Sequence, residues 1–256
     1  MAGKFIPLAE AAAMTKGLRC TGVPGMPAIW IVAVKSLYHV KKVPVIHVQH
    51  PSGDQEELFK LTAQRSNPVS WWADEQPRSA WLEQLQLAER IGSGPQLVPE
   101  DPAERAAVIG ICYSALGSPG GLAFEKRNLM MSDGPFARKY GWTPELKERA
   151  PSRIVALLNF VNDMLEKQKA KGSKYLVGDA ISAADVCWAA SMNMVNPPPE
   201  DIMPVGEKFA GLPKSFAKNP DEVKAATTPL LVEHQMYIMK EYCDLGSIVS
   251  GTTLSY

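Results

Sequence analysis

The most informative segment of this chain reads Tyr175-Leu176-Val177-Gly178-Asp179-Ala180-Ile181-Ser182-Ala183-Ala184-Asp185-Val186. Ser182 can cap a helix, because its hydroxyl can accept from the backbone N–H of Asp185 while the Asp185 carboxylate reaches back to Ser182. Ile181 and Val186 are spaced for the hydrophobic contact that often accompanies such a capping box. The segment therefore predicts a helix that begins directly after Ser182, with Ser182 and Asp185 in structural roles.

The composition is that of a globular protein whose charges balance. The 256 residues are 46% hydrophobic, and 27 Lys and Arg match 27 Asp and Glu. This balance argues against a nucleic-acid partner and against an anionic membrane surface. No segment approaches the roughly 18 uninterrupted apolar residues of a membrane span, so we expect no membrane association and a cytoplasmic protein.

The cysteines and histidines do not indicate a metal site. The four cysteines are scattered singly, without the close pairs that zinc sites and dithiol motifs use, at Cys20, Cys112, Cys187 and Cys243. We interpret them as reduced thiols that lie mostly in the core. The close pair His47 and His50 has no third ligand nearby in the sequence, so we expect no metal.

Strand and helix signals alternate in the first part of the chain. A short strand at Leu18–Thr21, an apolar helix at Ala28–Val40 and a β-branched strand at Val43–Val48 follow one another. This order predicts two parallel strands joined by a crossover helix.

The next signals extend the same pattern. A short helix from Gln55 to Gln64 ends before Asn67-Pro68, because a residue before proline avoids the helical region. A third strand at Val69–Trp72 and a brief fourth strand after Pro77 are expected, and Ser79 is expected to cap a helix that runs to about Ile91. The order of elements looks like that of a thioredoxin-like domain.

Strand signals nearly vanish in the rest of the chain. Gly92-Ser93-Gly94-Pro95 has the composition of a linker. Asp101-Pro102-Ala103-Glu104 then opens a helix with an N-cap, a proline at the first helical position and a glutamate that reaches back. The apolar residues from Ile154 to Leu165 recur with helical spacing. The second domain is therefore predicted to be all helical.

Three of these features together resemble the cytosolic glutathione transferase superfamily, in an atypical branch. The segment from Gly178 to Asp185 resembles the capping segment of its helical domain, and Asn67-Pro68 and Arg78-Ser79 resemble its glutathione-binding motifs. The resemblance implies an α/β thioredoxin-like N-terminal domain, a linker, and an all-α helical-bundle C-terminal domain. We place these three parts at residues 1–92, 93–100 and 101–256.

The resemblance also implies where glutathione would bind. Asn67 and Pro68 correspond to the residue and the cis-proline whose backbone pairs with the cysteinyl part of glutathione. Ser79 corresponds to the serine that faces the γ-glutamyl carboxylate, at a helix N-terminus whose dipole favours an anion. Arg78 stands where the family has an acid, so the amino group of the ligand loses a partner and a cation is added.

The family further uses a Tyr, Ser or Cys near the first strand and helix to stabilise the glutathione thiolate. The corresponding stretch, from Cys20 to Trp30, contains neither Tyr nor Ser. Thr21 could donate a hydrogen bond through its hydroxyl, and Cys20 could form mixed disulfides. Since neighbours on a strand point to opposite faces, at most one of the two can face a cleft, and we expect Thr21 to be the catalytic residue.

The resemblance implies a glutathione transferase that takes part in detoxification and forms a homodimer. Glutathione would be the co-substrate, and a small hydrophobic electrophile would be its reaction partner. Two alternatives stay open at this point: a non-catalytic protein that binds a hydrophobic ligand or a protein partner, and a glutathione-dependent reductase, isomerase or peroxidase.

Overall fold

The computed structural model describes residues 4–50 and 55–256, which divide into two compact units. The first unit is discontinuous in sequence and comprises Met1–Gln96, Pro199–Ala210 and Met239–Tyr256. The second comprises Leu97–Pro198 and Gly211–Ile238. This division differs from the predicted C-terminal domain of residues 101–256, because two later segments of the chain belong to the first unit.

The described residues form a few short strands early in the chain and many helices along its whole length. The strands are β1 (Leu18–Gly22), β2 (Val45–Gln49) and β3 (Ser70–Trp72). The helices are α1 (Leu8–Ala13), α2 (Ile29–Val40), α3 (Glu56–Thr62), α4 (Trp81–Ile91), α5 (Pro102–Leu116), α6 (Leu122–Met130), α7 (Pro135–Lys139), α8 (Pro144–Ala170), α9 (Ala183–Met192), α10 (Leu212–Phe216), α11 (Asp221–Ala226), α12 (Pro229–Tyr242) and α13 (Leu245–Ser250). None of the helices among the described residues is long and apolar enough to cross a membrane.

The first unit contains a three-stranded sheet in the order β2-β1-β3. β1 runs parallel to β2, with Leu18 opposite Val45, and antiparallel to β3, with Leu18 opposite Trp72. The prediction of a parallel pair joined by a crossover helix is therefore confirmed, with α2 as the crossover.

Alternation along the strands creates two apolar clusters in the first unit. One cluster joins β1 and the start of β2 to α2 and α4, through residues such as Leu18, Val34 and Leu87. The other joins β2 and β3 to α1 and α3, through residues such as Val48 and Leu58. Successive strand residues point to opposite faces, so helices cover both faces of the sheet.

Two predictions for the segment after β3 were wrong. The fourth strand is only one bridge, in which the backbone groups of Ser70 and Arg78 exchange hydrogen bonds of 2.9 and 2.7 Å. Proline at position 77 has no N–H to donate, so the pairing cannot extend in that direction. Ser79 is not the N-cap of α4, which begins at Trp81 after Ala80 and has no side-chain cap.

The second unit, as far as the structure describes it, contains helices and no strand, and together with the small sheet of the first unit it confirms the predicted fold class. α9 begins at Ala183 behind the predicted capping box of Ser182 and Asp185. α5 begins behind Asp101, whose carboxylate accepts from the backbone N–H groups of Ala103 and Glu104. The predicted helix starts are thus confirmed in both places.

Candidate functional site

The backbone of Asn67 is an open edge in the first unit. The Asn67-Pro68 peptide bond is cis. Among the described residues, neither the N–H nor the C=O of Asn67 has a hydrogen-bond partner, and its side-chain oxygen Oδ1 is buried without one. Free backbone groups next to a sheet are the groups that an extended peptide uses for pairing.

Gln84 connects this edge to Ser79. The Gln84 side chain is fully buried, and its Nε2 donates to the carbonyl oxygens of Pro68 at 3.3 Å and Ser79 at 3.2 Å. Its Oε1 accepts a hydrogen bond of 2.5 Å from the Ser70 hydroxyl. One amide thus fixes three positions around the open edge, and no local sequence pattern indicates it, because these contacts depend on the tertiary fold.

The Ser79 hydroxyl is available to a ligand. Ser79 is partly exposed, and in the described part of the chain its Oγ has no hydrogen-bond partner. The prediction that it lies near Asn67 and Pro68 agrees with the bridge that Gln84 makes. Its role as a ligand-binding residue stays a prediction.

Arg78 forms a salt bridge with Glu75. Its Nη2 donates to Glu75 Oε2 at 2.6 Å, and its Nη1 donates to the Gln76 carbonyl oxygen at 3.2 Å. Arg90 also donates to the Glu75 carboxylate, at 2.6 and 2.7 Å. Hydrogen bonds from Arg90 and Arg78 lower the pKa of Glu75. Two cations therefore share the Glu75 carboxylate, and Arg78 is the one that is adjacent to Ser79 in the sequence.

Thr21 and Cys20 are both buried, contrary to a role in binding a sulfur atom. The Thr21 hydroxyl has no exposure and accepts a hydrogen bond of 2.8 Å from the Val69 N–H. The Cys20 thiol is also fully buried, and burial raises its pKa. Thr21 completes the pairing of β1 with the segment before β3, so this geometry speaks against its predicted role as the thiol activator.

The loop before α2 is fixed by two later segments of the chain. The Gly25 N–H donates to the Val249 carbonyl oxygen at 3.0 Å, and the Gly206 N–H donates to the Gly25 carbonyl oxygen at 2.9 Å. Gly25 has a φ of +75°, and a Cβ there would lie 3.1 Å from the Gly206 Cα. Only glycine combines this conformation with such close backbone contact. α2 then begins at Ile29 without a side-chain cap.

Two buried basic side chains of the first unit, Lys35 and His47, contact each other. Lys35 Nζ donates to His47 Nδ1 at 3.0 Å, and both side chains are almost fully buried. Burial lowers the pKa of Lys35 to about 8. Burial, together with the neighbouring Lys35 charge, lowers the pKa of His47 to about 3. His47 is therefore neutral at pH 7, and its Nδ1 can accept a hydrogen bond from Lys35. This contact occupies the Nδ1 lone pair.

Comparisons with known proteins support the fold. No protein-family model matches the sequence, and no curated protein matches it. The structure is similar to a glutathione S-transferase domain-containing protein from Marinobacter aquaeolei VT8, with 15% identity, a TM-score of 0.61 and coverage of 87% of this chain and 98% of that one. It is also similar to glutathione transferase Omega 3C from Trametes versicolor, with 12% identity, a TM-score of 0.61 and coverage of 96% and 94%.

A third similar structure contains a ligand. It is a glutathione transferase family member from Pseudomonas fluorescens Pf-5 with two glutathione molecules bound. The identity is 15%, the TM-score 0.55, and the match covers 89% of this chain and 96% of that one. In all three comparisons the match extends over nearly the whole length of the other protein, and the small sheet and the helical unit agree with it. The chain therefore has the fold of the glutathione S-transferase superfamily.

Proposed function

We propose that this protein binds glutathione along the backbone of Asn67 and that the glutathione thiolate attacks a small hydrophobic electrophile, forming a carbon–sulfur bond while the leaving group of the electrophile departs. The observation that carries the proposal is the pair of unused backbone groups on Asn67, N–H and C=O. A tripeptide such as glutathione can use both, because one of its own amide groups can donate while the neighbouring one accepts. The similar structure with two bound glutathione molecules supports this choice of ligand.

Charge at the other end of the site supports the same ligand. Arg78, next to Ser79 in the sequence, shares the Glu75 carboxylate with Arg90, so this carboxylate does not neutralise both arginines. The free Ser79 hydroxyl can donate to a carboxylate oxygen. The γ-glutamyl carboxylate of glutathione is the group that fits these donors.

In this proposal the thiolate takes a donor other than Thr21, because the Thr21 side chain is buried. α2 begins at Ile29 without a side-chain cap. The positive end of its helix dipole favours a thiolate over a thiol, as at other helix N-termini. In this proposal the first turn of α2 replaces the missing side chain.

Calorimetric titration with reduced glutathione tests the binding step. Ser79→Ala should weaken binding about tenfold to a hundredfold, because one charge-assisted hydrogen bond is lost, and the free energy of unfolding should not change. Ser93→Ala, at an exposed position away from Asn67, is the matched control. No measurable binding to the wild-type protein would rule out the proposal.

A second candidate function is non-catalytic binding in the same cleft. The observation in its favour is that both Thr21 and Cys20 are buried, so neither of these β1 side chains is exposed to a bound thiol. Ultraviolet titration of the glutathione thiol in the complex separates the two candidates. A lowered thiol pKa together with turnover of an activated aryl chloride supports the transferase, whereas binding with an ordinary thiol pKa and no turnover supports the second candidate.

Glutathione-dependent reduction, isomerisation and peroxide reduction remain alternative reactions for the same site. They also use the glutathione thiolate, so the titration of the thiol pKa tests them as well.

A role in detoxification, homodimer formation and a cytoplasmic location stay predictions from the resemblance. Light scattering of the purified protein would test the homodimer.

A further inference from the structure

The side-chain amide of Gln84 is occupied by contacts within the first unit. Gln84 lies near the N-terminus of α4 and is fully buried. Its Nε2 carries two hydrogens and donates to the carbonyl oxygens of Pro68 and Ser79, at 3.3 and 3.2 Å. Its Oε1 accepts from the Ser70 hydroxyl at 2.5 Å. Gln84 therefore affects a ligand only through the residues that it holds.

The partners of Gln84 also fix the orientation of its amide. The carbonyl oxygens of Pro68 and Ser79 can only accept hydrogen bonds, so the nitrogen of the amide must face them. The Ser70 hydroxyl then faces the amide oxygen and donates to it. If nitrogen and oxygen exchanged places, an oxygen would lie against two carbonyl oxygens. The amide therefore has a single orientation in the folded protein.

The backbone next to Asn67 is held by contacts that do not involve Gln84. The Val69 N–H donates to the Thr21 hydroxyl at 2.8 Å, and the Val69 carbonyl oxygen accepts from the Thr21 N–H at 2.9 Å. Ser70 exchanges backbone hydrogen bonds of 2.9 and 2.7 Å with Arg78. These contacts fix the segment after Asn67 even when the amide of Gln84 is removed.

The position of Ser79 depends on Gln84. Ser79 lies between the bridge residue Arg78 and Ala80, which precedes α4 and provides no side-chain cap. Among the residues that the structure describes, the hydrogen bond of the Ser79 backbone is the one that its carbonyl oxygen accepts from Gln84. This contact therefore places the Ser79 hydroxyl relative to Asn67.

We infer that Gln84 is a positioning residue, which sets the distance between the backbone groups of Asn67 and the hydroxyl of Ser79. The inference rests on the proposed function, in which Asn67 pairs with the peptide backbone of glutathione and Ser79 donates to its γ-glutamyl carboxylate. A dipeptide without the γ-glutamyl group, such as cysteinylglycine, has no group for Ser79. Gln84 thus determines the selectivity for γ-glutamyl ligands, although it contacts no part of them.

A double-mutant cycle on the full chain tests this role. Calorimetry with reduced glutathione compares the wild type, Ser79→Ala, Gln84→Met and the double variant. Gln84→Met removes the amide at similar side-chain length and should weaken binding about tenfold to a hundredfold, as Ser79→Ala does. In the Gln84→Met background, Ser79→Ala should weaken binding by less than about threefold, because a misplaced hydroxyl contributes little.

A second ligand separates positioning from a general loss of folded protein. Cysteinylglycine binding, followed by NMR titration at millimolar concentration, should weaken by less than about threefold in Gln84→Met, since this ligand has no group for Ser79. A loss of folded protein would weaken the binding of both ligands equally. Gln86→Met, at an exposed position on the same helix, is the matched control and should leave both affinities unchanged.

The outcomes distinguish a failure of this inference from a failure of the proposed function. Additive effects of Ser79→Ala and Gln84→Met, or equal losses for the two ligands, overturn the role of Gln84 and leave the glutathione site in place. Absence of glutathione binding to the wild type overturns both. If Gln84→Met does not fold, Ser70→Ala replaces it in the cycle, because it removes the hydroxyl that orients the amide, and the coupling with Ser79 should have the same sign.

Discussion

The contribution of the Thr21 hydroxyl to stability can be measured with a nearly isosteric substitution. Thr21→Val keeps the shape of the side chain but removes the acceptor for the Val69 N–H, which lies 2.8 Å away and is buried. An unsatisfied buried donor costs about 1 to 3 kcal/mol. We therefore expect Thr21→Val to lower the free energy of unfolding in urea by about this amount.

The same variant separates the structural role from a catalytic one. If Thr21 stabilises only the sheet, glutathione turnover per folded molecule should stay within about twofold of wild type, since no transition-state contact is lost. A tenfold loss of turnover without loss of stability would restore Thr21 as the thiol activator.

The ammonium group of Lys35 makes stability depend on pH. Its pKa falls from 10.5 to about 8 on folding because of burial, so the folded state holds this proton less tightly than the unfolded state does. Stability therefore rises with pH between about 8 and 10.5, where the unfolded chain binds more protons. The full effect is on the order of 3 kcal/mol, and below pH 8 the cost of the buried charge is fully present.

Lys35→Met removes this titration. We expect the free energy of unfolding of the wild type, relative to Lys35→Met, to increase by about 2 kcal/mol from pH 7.5 to pH 10. Lys60→Met on the exposed face of α3 serves as the control and should show no such change. Parallel curves for the wild type and Lys35→Met would contradict the prediction.

At the level of single residues, the sequence predicted that Asn67, Pro68 and Ser79 lie near one another, but it did not predict the directions of their side chains. Motifs of adjacent residues report local backbone geometry, and the open edge at Asn67 agrees with them. The burial of Thr21 and the bridging amide of Gln84 depend on packing between strands and helices that are distant in sequence. A pattern of neighbouring residues contains no information on such contacts.

Among the helices, α9 begins with two capping side chains that make different numbers of hydrogen bonds. Asp185 accepts hydrogen bonds from Leu176, Ser182 and His234, whereas Ser182 acts mainly as the cap of one helix. We expect Ser182→Ala to cost about 1 kcal/mol and Asp185→Ala about 3 to 5 kcal/mol, because several buried donors lose their partner. Equilibrium unfolding in urea measures both.

The ratio of the two effects distinguishes a helix cap from a wider network. Asp163→Ala, at an exposed position on α8, is the control and should change stability by less than about 0.5 kcal/mol. Equal effects of Ser182→Ala and Asp185→Ala would mean that Asp185 only caps α9. If Asp185→Ala does not fold, Asp185→Asn, which keeps the size and one acceptor, should still lose more stability than Ser182→Ala.

Most elements were predictable because their signals are local. The three strands, the crossover helix α2 and the starts of α5 and α9 follow from periodicity and capping residues within a few positions. The predicted fourth strand failed because a strand needs a partner over several residues, and Pro77 together with the nearby start of α4 leaves only the bridge at Arg78. Strand signals of two or three residues cannot show whether that partner exists.

The first unit as a whole depends on the end of the chain. Thr253 Oγ1 donates to the Val45 carbonyl oxygen at 2.8 Å, and the Tyr256 hydroxyl lies 2.8 Å from His39 Nδ1. Gly25 in turn donates to Val249. These contacts join the last residues to α2, β2 and the loop before α2, and no local signal in the sequence predicted them.

A fragment of residues 1–96 should therefore fold poorly by itself, although it contains the whole sheet. It lacks Pro199–Ala210 and Met239–Tyr256, and so it exposes the apolar surface of α2 and β2 that these segments cover within the unit. A domain of this size buries only a modest share of its surface and has little stability to lose. We expect its circular dichroism to show less helix per residue than the full chain and its urea transition to be broad and shifted to lower concentration. A sharp transition at the midpoint of the full chain would show instead that the sheet and its four flanking helices form an independent domain, and that the C-terminal segment only rests on it.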